Sequence, residues 1–149
     1  MKSKRMLFGM PLFAVIFSLA VIACDDDSGV TDPVTDPALN GTWVLGYIEI
    51  TFNNGNWEDR MNSTPFAKGT YTTNNGEITT KSTHLWGNGG PYQLNLDAKW
   101  YTKAELQSLN IPNLESLMTD GYTRTYSING NTLTFTDRNG NAAGTWTRK

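Results

Sequence analysis

The chain has 149 residues, 38% of them hydrophobic and 17% charged, with 12 Lys+Arg against 14 Asp+Glu, one His and one Cys. That is room for one domain with its own core, too apolar for wholesale disorder and too weakly charged for a long helical rod. A single Cys excludes an internal disulfide and any multi-Cys metal site, and a net charge of −2 offers no basic footprint for nucleic acid.

The charges fall in three blocks. Lys2, Lys4 and Arg5 open the chain, and an almost wholly apolar run from Met6 to Ala23 follows, the pattern of a secretory signal peptide. A short transmembrane helix with an incidental cysteine is the other reading of the same run, although Gly9 and Pro11 weaken a helix and the run is marginal for spanning. At its end, Val21-Ile22-Ala23-Cys24 resembles the lipobox of bacterial lipoproteins. The resemblance implies cleavage after residue 23, a diacylglyceryl group on the thiol of Cys24 and an acylated new amino terminus. The membrane is then a partner through lipidated Cys24, since each buried CH₂ contributes ~0.8 kcal/mol and two or more acyl chains hold stably. The expected location is the bacterial cell envelope, at the outer membrane or cell surface ahead of the inner membrane.

Residues 24–39 form the second block, with Asp25, Asp26, Asp27, Asp32 and Asp36 and no base. Val30-Thr31-Asp32-Pro33 repeats as Val34-Thr35-Asp36-Pro37, and no aromatic residue is present. Such a segment is expected to be an extended, hydrated spacer, reaching ~50 Å at roughly 3.3 Å per residue.

The third block, residues 40–149, balances nine bases with nine acids and is rich in Thr, Asn, Gly and aromatics, a composition of strands and tight turns. Asn54-Gly55, Asn75-Gly76, Asn129-Gly130 and Asn139-Gly140 are hairpin signals, because Asn-Gly tolerates the positive φ of type I′ turns. Strands are predicted over 42–53, 56–62, 68–74, 77–86, 91–102, 121–128, 132–138 and 142–148. A loop at Asn75-Gly76 pairs Thr73 with Ile78 and Tyr71 with Thr80, which places Tyr71, Thr73, Ile78, Thr80, Ser82, His84 and Trp86 on one face. A loop centred on Gly130-Asn131 pairs Ile128 with Leu133 and Tyr126 with Phe135. Leu133 then faces Trp146, and Phe135 faces Gly144. Thr102-Lys103-Ala104-Glu105 is a capping box that opens a helical insert over 103–119. Eight antiparallel strands in sequence order predict an all-β, up-and-down barrel that hides its edges by closing on itself.

Gly41-Thr42-Trp43 on the first strand is similar to the Gly-x-Trp motif of lipocalins, and Arg148 stands where their arginine packs over that tryptophan. Residues 40–149 resemble the small lipocalin-like domains of bacterial lipoproteins. The helical insert departs from that family by falling between the fifth and sixth predicted strands instead of after the last paired ones.

Enzyme chemistry has little to work with: one histidine, no Gly-x-Ser-x-Gly elbow and no His-Glu-x-x-His pair, so no catalytic residue, cofactor or metal site is expected. Glu58 and Asp59 are neighbours and point to opposite faces of a strand. Asp137-Arg138-Asn139-Gly140-Asn141 imitates a calcium loop but carries Arg148 at the twelfth position, so it reads as a turn. What the alternation does offer is a polar inner face, from which Tyr71, His84, Trp86, Tyr122, Arg124 and Tyr126 are candidate ligand-binding residues. Arg124 is the expected partner of an anionic head, with Tyr122 and Tyr126 beside it and the insert as a lid. Two readings follow: a tethered barrel that binds a small amphipathic molecule, or a filled barrel that serves structure or protein interaction.

Overall fold

A computed structural model describes residues 34–89, 91–137 and 139–149. The leader, Cys24 and the first part of the spacer lie outside the described residues. The strands are β1 (Gly41–Leu45), β2 (Ile48–Asn53), β3 (Asn56–Met61), β4 (Thr64–Asn74), β5 (Glu77–Trp86), β6 (Trp100–Thr102), β7 (Tyr122–Asn129), β8 (Thr132–Thr136) and β9 (Ala142–Arg148). Two helical turns, α1 (Lys103–Ser108) and α2 (Leu114–Leu117), stand between β6 and β7. All pairings are antiparallel, and eight strands form a ring in the order β1-β2-β3-β4-β5-β7-β8-β9, closed by β9 against β1. The fold is therefore a closed up-and-down barrel with β6 as an extra strand on the upper half of β5.

The turn chemistry sets the register. Asn54-Gly55 and Asn75-Gly76 have positive φ at both residues, and their hairpins pair Phe52 with Trp57 and Thr73 with Ile78. The expected pairs Ile128–Leu133, Tyr126–Phe135, Leu133–Trp146 and Phe135–Gly144 are all present. Inside the ring, Trp43, Phe52, Tyr71, Ile78, Leu133 and Phe135 have essentially no solvent contact.

Four sequence expectations differ from this arrangement. First, 42–53 is not one strand: Gly46, at φ +61°, turns the chain between β1 and β2. Second, only Trp100–Thr102 of the expected strand 91–102 is extended and paired. Gln93 and Asn95 adopt positive φ, and the lower half of β5 pairs with β7 instead. Eight barrel strands result because one loss offsets one gain. Third, β4 and β5 slip by one residue between Lys68 and Gly69, so that Lys68 faces His84 while Gly69 faces Ser82. A slip of one residue exchanges the two faces of a strand, so Leu85 turns inward and His84 and Trp86 turn outward.

The fourth difference lies at the base. Residues 34–39, expected to belong to the hydrated spacer, are built into the barrel. Asp36 caps a 3₁₀ turn, Pro37–Leu39, whose Leu39 is fully buried as a plug in the lower mouth. The Trp43 indole N–H donates to the Leu39 carbonyl at 2.8 Å, and the Arg148 guanidinium lies 4.2 Å from the Trp43 ring centre. Arg148 also donates to the carbonyls of Asn40 and Ala38, each at 2.7 Å, so the last strand clasps the plug.

Candidate functional site

The plug divides the interior into a lower half that is occupied and an upper half that is not fully satisfied. In the lower half the Tyr71 hydroxyl donates to Asn40 at 3.3 Å, and the Tyr126 hydroxyl donates to Asp36 at 2.8 Å. Burial and this bond to an anion push the Tyr126 phenol up to about 12. Both tyrosines hold the plug and have no free polar end for a ligand.

The other candidates separate. His84, outside the ring, is 2.9 Å from the Thr83 hydroxyl, and burial together with the Lys68 ammonium holds its imidazole below its usual range. Trp86 packs edge to face against Trp100 at 5.3 Å. Tyr122 stands at the upper rim, 46% exposed. Arg124 is half-buried: its Nε is closed to solvent without a partner, and it also lines a cleft of about 450 Å³ with Glu77, Thr123, Thr125, Asp137 and Gly140. It pairs with Ile78 on β5, and its guanidinium lies 3.6 Å from the Phe135 ring centre and 5.9 Å from that of Tyr122. The six residues thus occupy four separate places, and the expected set does not form one site.

Opposite Arg124 the sequence analysis missed a partner. Asp59 shares the inward parity of Trp57 and Met61 on β3 and pairs with Ile50 and with Ala67, a residue too small to cover it. Asp59 Oδ1 and Arg124 Nε are both closed to solvent and make no hydrogen bond, and among the described residues the two side chains form no ion pair. Desolvation raises the Asp59 carboxyl to about 7, against the pull of Arg124; adjacent Glu58 adds to the rise. Desolvation likewise holds Arg124 below its usual range, with Asp59 opposing. A native interior seldom leaves such groups without a partner, whether a side chain, an ordered water or a ligand. The missed signal was parity: Trp57 and Met61 flank Asp59 at even spacing, which assigns it to their face.

Above this pair sits the lid. The Thr102 capping box is complete, with Glu105 reaching back to the Thr102 N–H at 2.7 Å, and Leu106, Leu114 and Met118 are buried beneath the insert. Leu109 of the same insert is 48% exposed. Lys103 bridges Glu115 at 2.8 Å and Asp120 at 3.1 Å and so draws the two helical turns together. Tyr92, in the connection before β6, packs edge to face on Phe66, and burial plus the Asp59 charge raises its phenol. Tyr92 also lines a mainly apolar cleft of about 320 Å³ with Leu94, Ile111, Pro112 and Leu117, where Gln93 and Asn113 supply polar groups. Tyr92 therefore lines the cleft in the lid while its phenol feels the Asp59 charge.

A further cleft, of about 430 Å³, lies on the outer face among Asn53, Asn56, Glu58, Lys68 and His84. Asp137, in the β8–β9 turn, accepts from the N–H groups of Asn139 and Asn141 as a turn anchor. Among the described residues no group of three or more metal-ligating side chains occurs, and no helix is long and apolar enough to cross a membrane. No protein-family model, curated protein or solved structure matches the chain.

Proposed function

We propose that the chain is a lipid-anchored protein of the bacterial cell envelope whose lipocalin-like barrel takes a small amphipathic molecule at its lidded end. The observation that carries this reading is the pair of unsatisfied polar atoms, Asp59 Oδ1 and Arg124 Nε, in a chain whose helical insert also presents a mainly apolar cleft lined by Tyr92. A polar head between Asp59 and Arg124 would offset their desolvation, and an apolar tail suits the Leu94, Ile111 and Leu117 walls. Arg148 over Trp43 and the buried plug supply the rigid base that a lipocalin-like binder needs. Anchoring rests on Val21-Ile22-Ala23-Cys24 alone.

The lower interior favours the other reading, a filled barrel serving as an interaction scaffold, because Trp43, Phe52 and Tyr71 leave no room there. Native mass spectrometry of the chain extracted from membranes separates the two. A covalent acyl increment lost in Cys24→Ala, together with a non-covalent adduct lost in Arg124→Ala, supports an anchored binder. An acyl increment without any adduct favours the scaffold, and unchanged acylation in Cys24→Ala removes the anchor.

A further inference from the structure

The outer face of the ring holds a cleft apart from the lidded end. Where β4 slips past β5, Gly69 lies so close to the Lys81 carbonyl that a Cβ would collide with it. A bulge of this kind bends its strand and re-aims the side chains beside it, and here it turns His84 outward next to Lys68. The cleft at the bulge, of about 430 Å³, crosses four strands, with Asn53 on β2, Asn56 and Glu58 on β3, Lys68 on β4 and His84 on β5. Its volume is that of a small-molecule site. We infer that this cleft binds a neutral saccharide, held by the Glu58 carboxylate, the Lys68 ammonium, the His84 imidazole and the Asn53 and Asn56 amides.

The donors and acceptors on its wall follow from their bonds. The Thr83 hydroxyl donates to the Lys68 carbonyl at 3.3 Å, so its oxygen accepts from His84 Nδ1, 2.9 Å away. That places the proton of the neutral imidazole on Nδ1 and leaves Nε2 as an acceptor. Glu58 accepts from Arg60 at 2.8 Å through Oε1 and keeps Oε2 as a second acceptor. Lys68 supplies donors: among the described residues it forms no ion pair, and its ammonium lies 4.5 Å from the Trp100 ring centre. The two Asn amides donate and accept. One carboxylate and one ammonium line the cleft and balance, and burial together with Lys68 keeps His84 from adding a second cation. Most ligand classes meet a mismatch here. An anion would face Glu58, a cation would face Lys68, and an apolar body would strip water from both without replacing its hydrogen bonds. A sugar hydroxyl donates and accepts at once, so a ring of them answers a wall on which donors and acceptors stand side by side.

The test applies the full chain, in fluorescently labelled lipid nanodiscs, to an array of neutral and anionic tetrasaccharides, with empty nanodiscs as the blank. The expected result is a signal on at least one neutral tetrasaccharide, whose affinity is then measured by calorimetry. Glu58→Ala should weaken it by about tenfold, the loss of a hydrogen bond to a charged group, and His84→Ala by about threefold, that of a neutral one. Thr134→Ala, on β8 at the opposite side of the ring, should change it by less than about twofold. Near-ultraviolet circular dichroism checks that each variant is folded. The Glu58 carboxylate bonds only to the exposed Arg60, so Glu58→Ala carries the test even if His84→Ala does not fold. No signal on any neutral tetrasaccharide, a signal on anionic ones alone, or equal affinity in Glu58→Ala and the unaltered chain overturns the inference. Each of these results leaves the reading of the lidded end standing, because the cleft lies outside the ring.

Discussion

Replacing Asp59 with Asn should make the barrel more stable, and increasingly so as the pH rises. In the folded protein the carboxyl titrates at about 7, while in the unfolded chain it returns to its ordinary 3.8. Between these values the native state holds a proton that the unfolded state has released, so stability falls as the pH climbs and levels off above about 7. Each unit of difference is worth about 1.4 kcal/mol, giving a total of roughly 4 kcal/mol, of which about 3 kcal/mol lies between pH 5 and pH 8. Glu105, Asp120 and Asp137 are all held below the usual carboxylate range, the first by hydrogen bonds from Thr102, the second by Lys103, the third by the backbone N–H of Asn141. Their contribution is lost on the acid side instead, and it cancels when the two proteins are subtracted. Urea unfolding followed by tryptophan fluorescence at pH 5, 6, 7 and 8 measures that difference. The advantage of Asp59→Asn should widen by about 3 kcal/mol from pH 5 to pH 8. Parallel profiles would refute the claim that Asp59 is desolvated and unpaired.

Leu39→Ala should cost about 2–5 kcal/mol in the same assay, since the plug residue is fully buried and its space cannot collapse beneath the clasp of Arg148. Gly69→Ala should be at least as damaging, because a Cβ there would collide with the Lys81 carbonyl oxygen, and that oxygen is backbone. Gly46→Ala meets no atom within 4 Å and should cost only the strain of its φ of +61°, about 1 kcal/mol. Lys103→Ala should speed amide exchange across residues 103–120 and leave the barrel strands unchanged, as the ion pairs join only parts of the insert.

What the sequence disclosed of the fold was its hairpins, and for a physical reason. Asn-Gly turns and flanking alternation are local, and local signals survive reading without the rest of the molecule. The split of the first strand was less visible because Gly46-Tyr47 lacks that dipeptide, although a twelve-residue strand with a central glycine is long for a small barrel. The alternation from Tyr92 to Trp100 was genuine but misleading: it sorts Tyr92, Leu94 and Leu96 toward the core without any strand being free to pair. His84 and Trp86 leave the candidate face at the bulge, which turns on a backbone contact between Gly69 and Lys81 that no pattern in either strand displays alone, while Tyr71 and Tyr126 are taken up by the plug. Arg124 was found because its strand keeps strict alternation; Asp59 was weighed only against Glu58, its neighbour on the opposite face of the strand.

The plug also decides how the barrel answers to tension. A pull on the chain ahead of Val34 is met first at the Val34 carbonyl, which accepts from Thr73 of β4 at 2.8 Å. Next come Asp36 on Tyr126 of β7, Leu39 under Trp43 of β1, and Ala38 and Asn40 in the grip of Arg148 of β9. Four strands of the ring thus share the pull before β1 can be peeled from its neighbours. The segment works as the strain relief on a cable does.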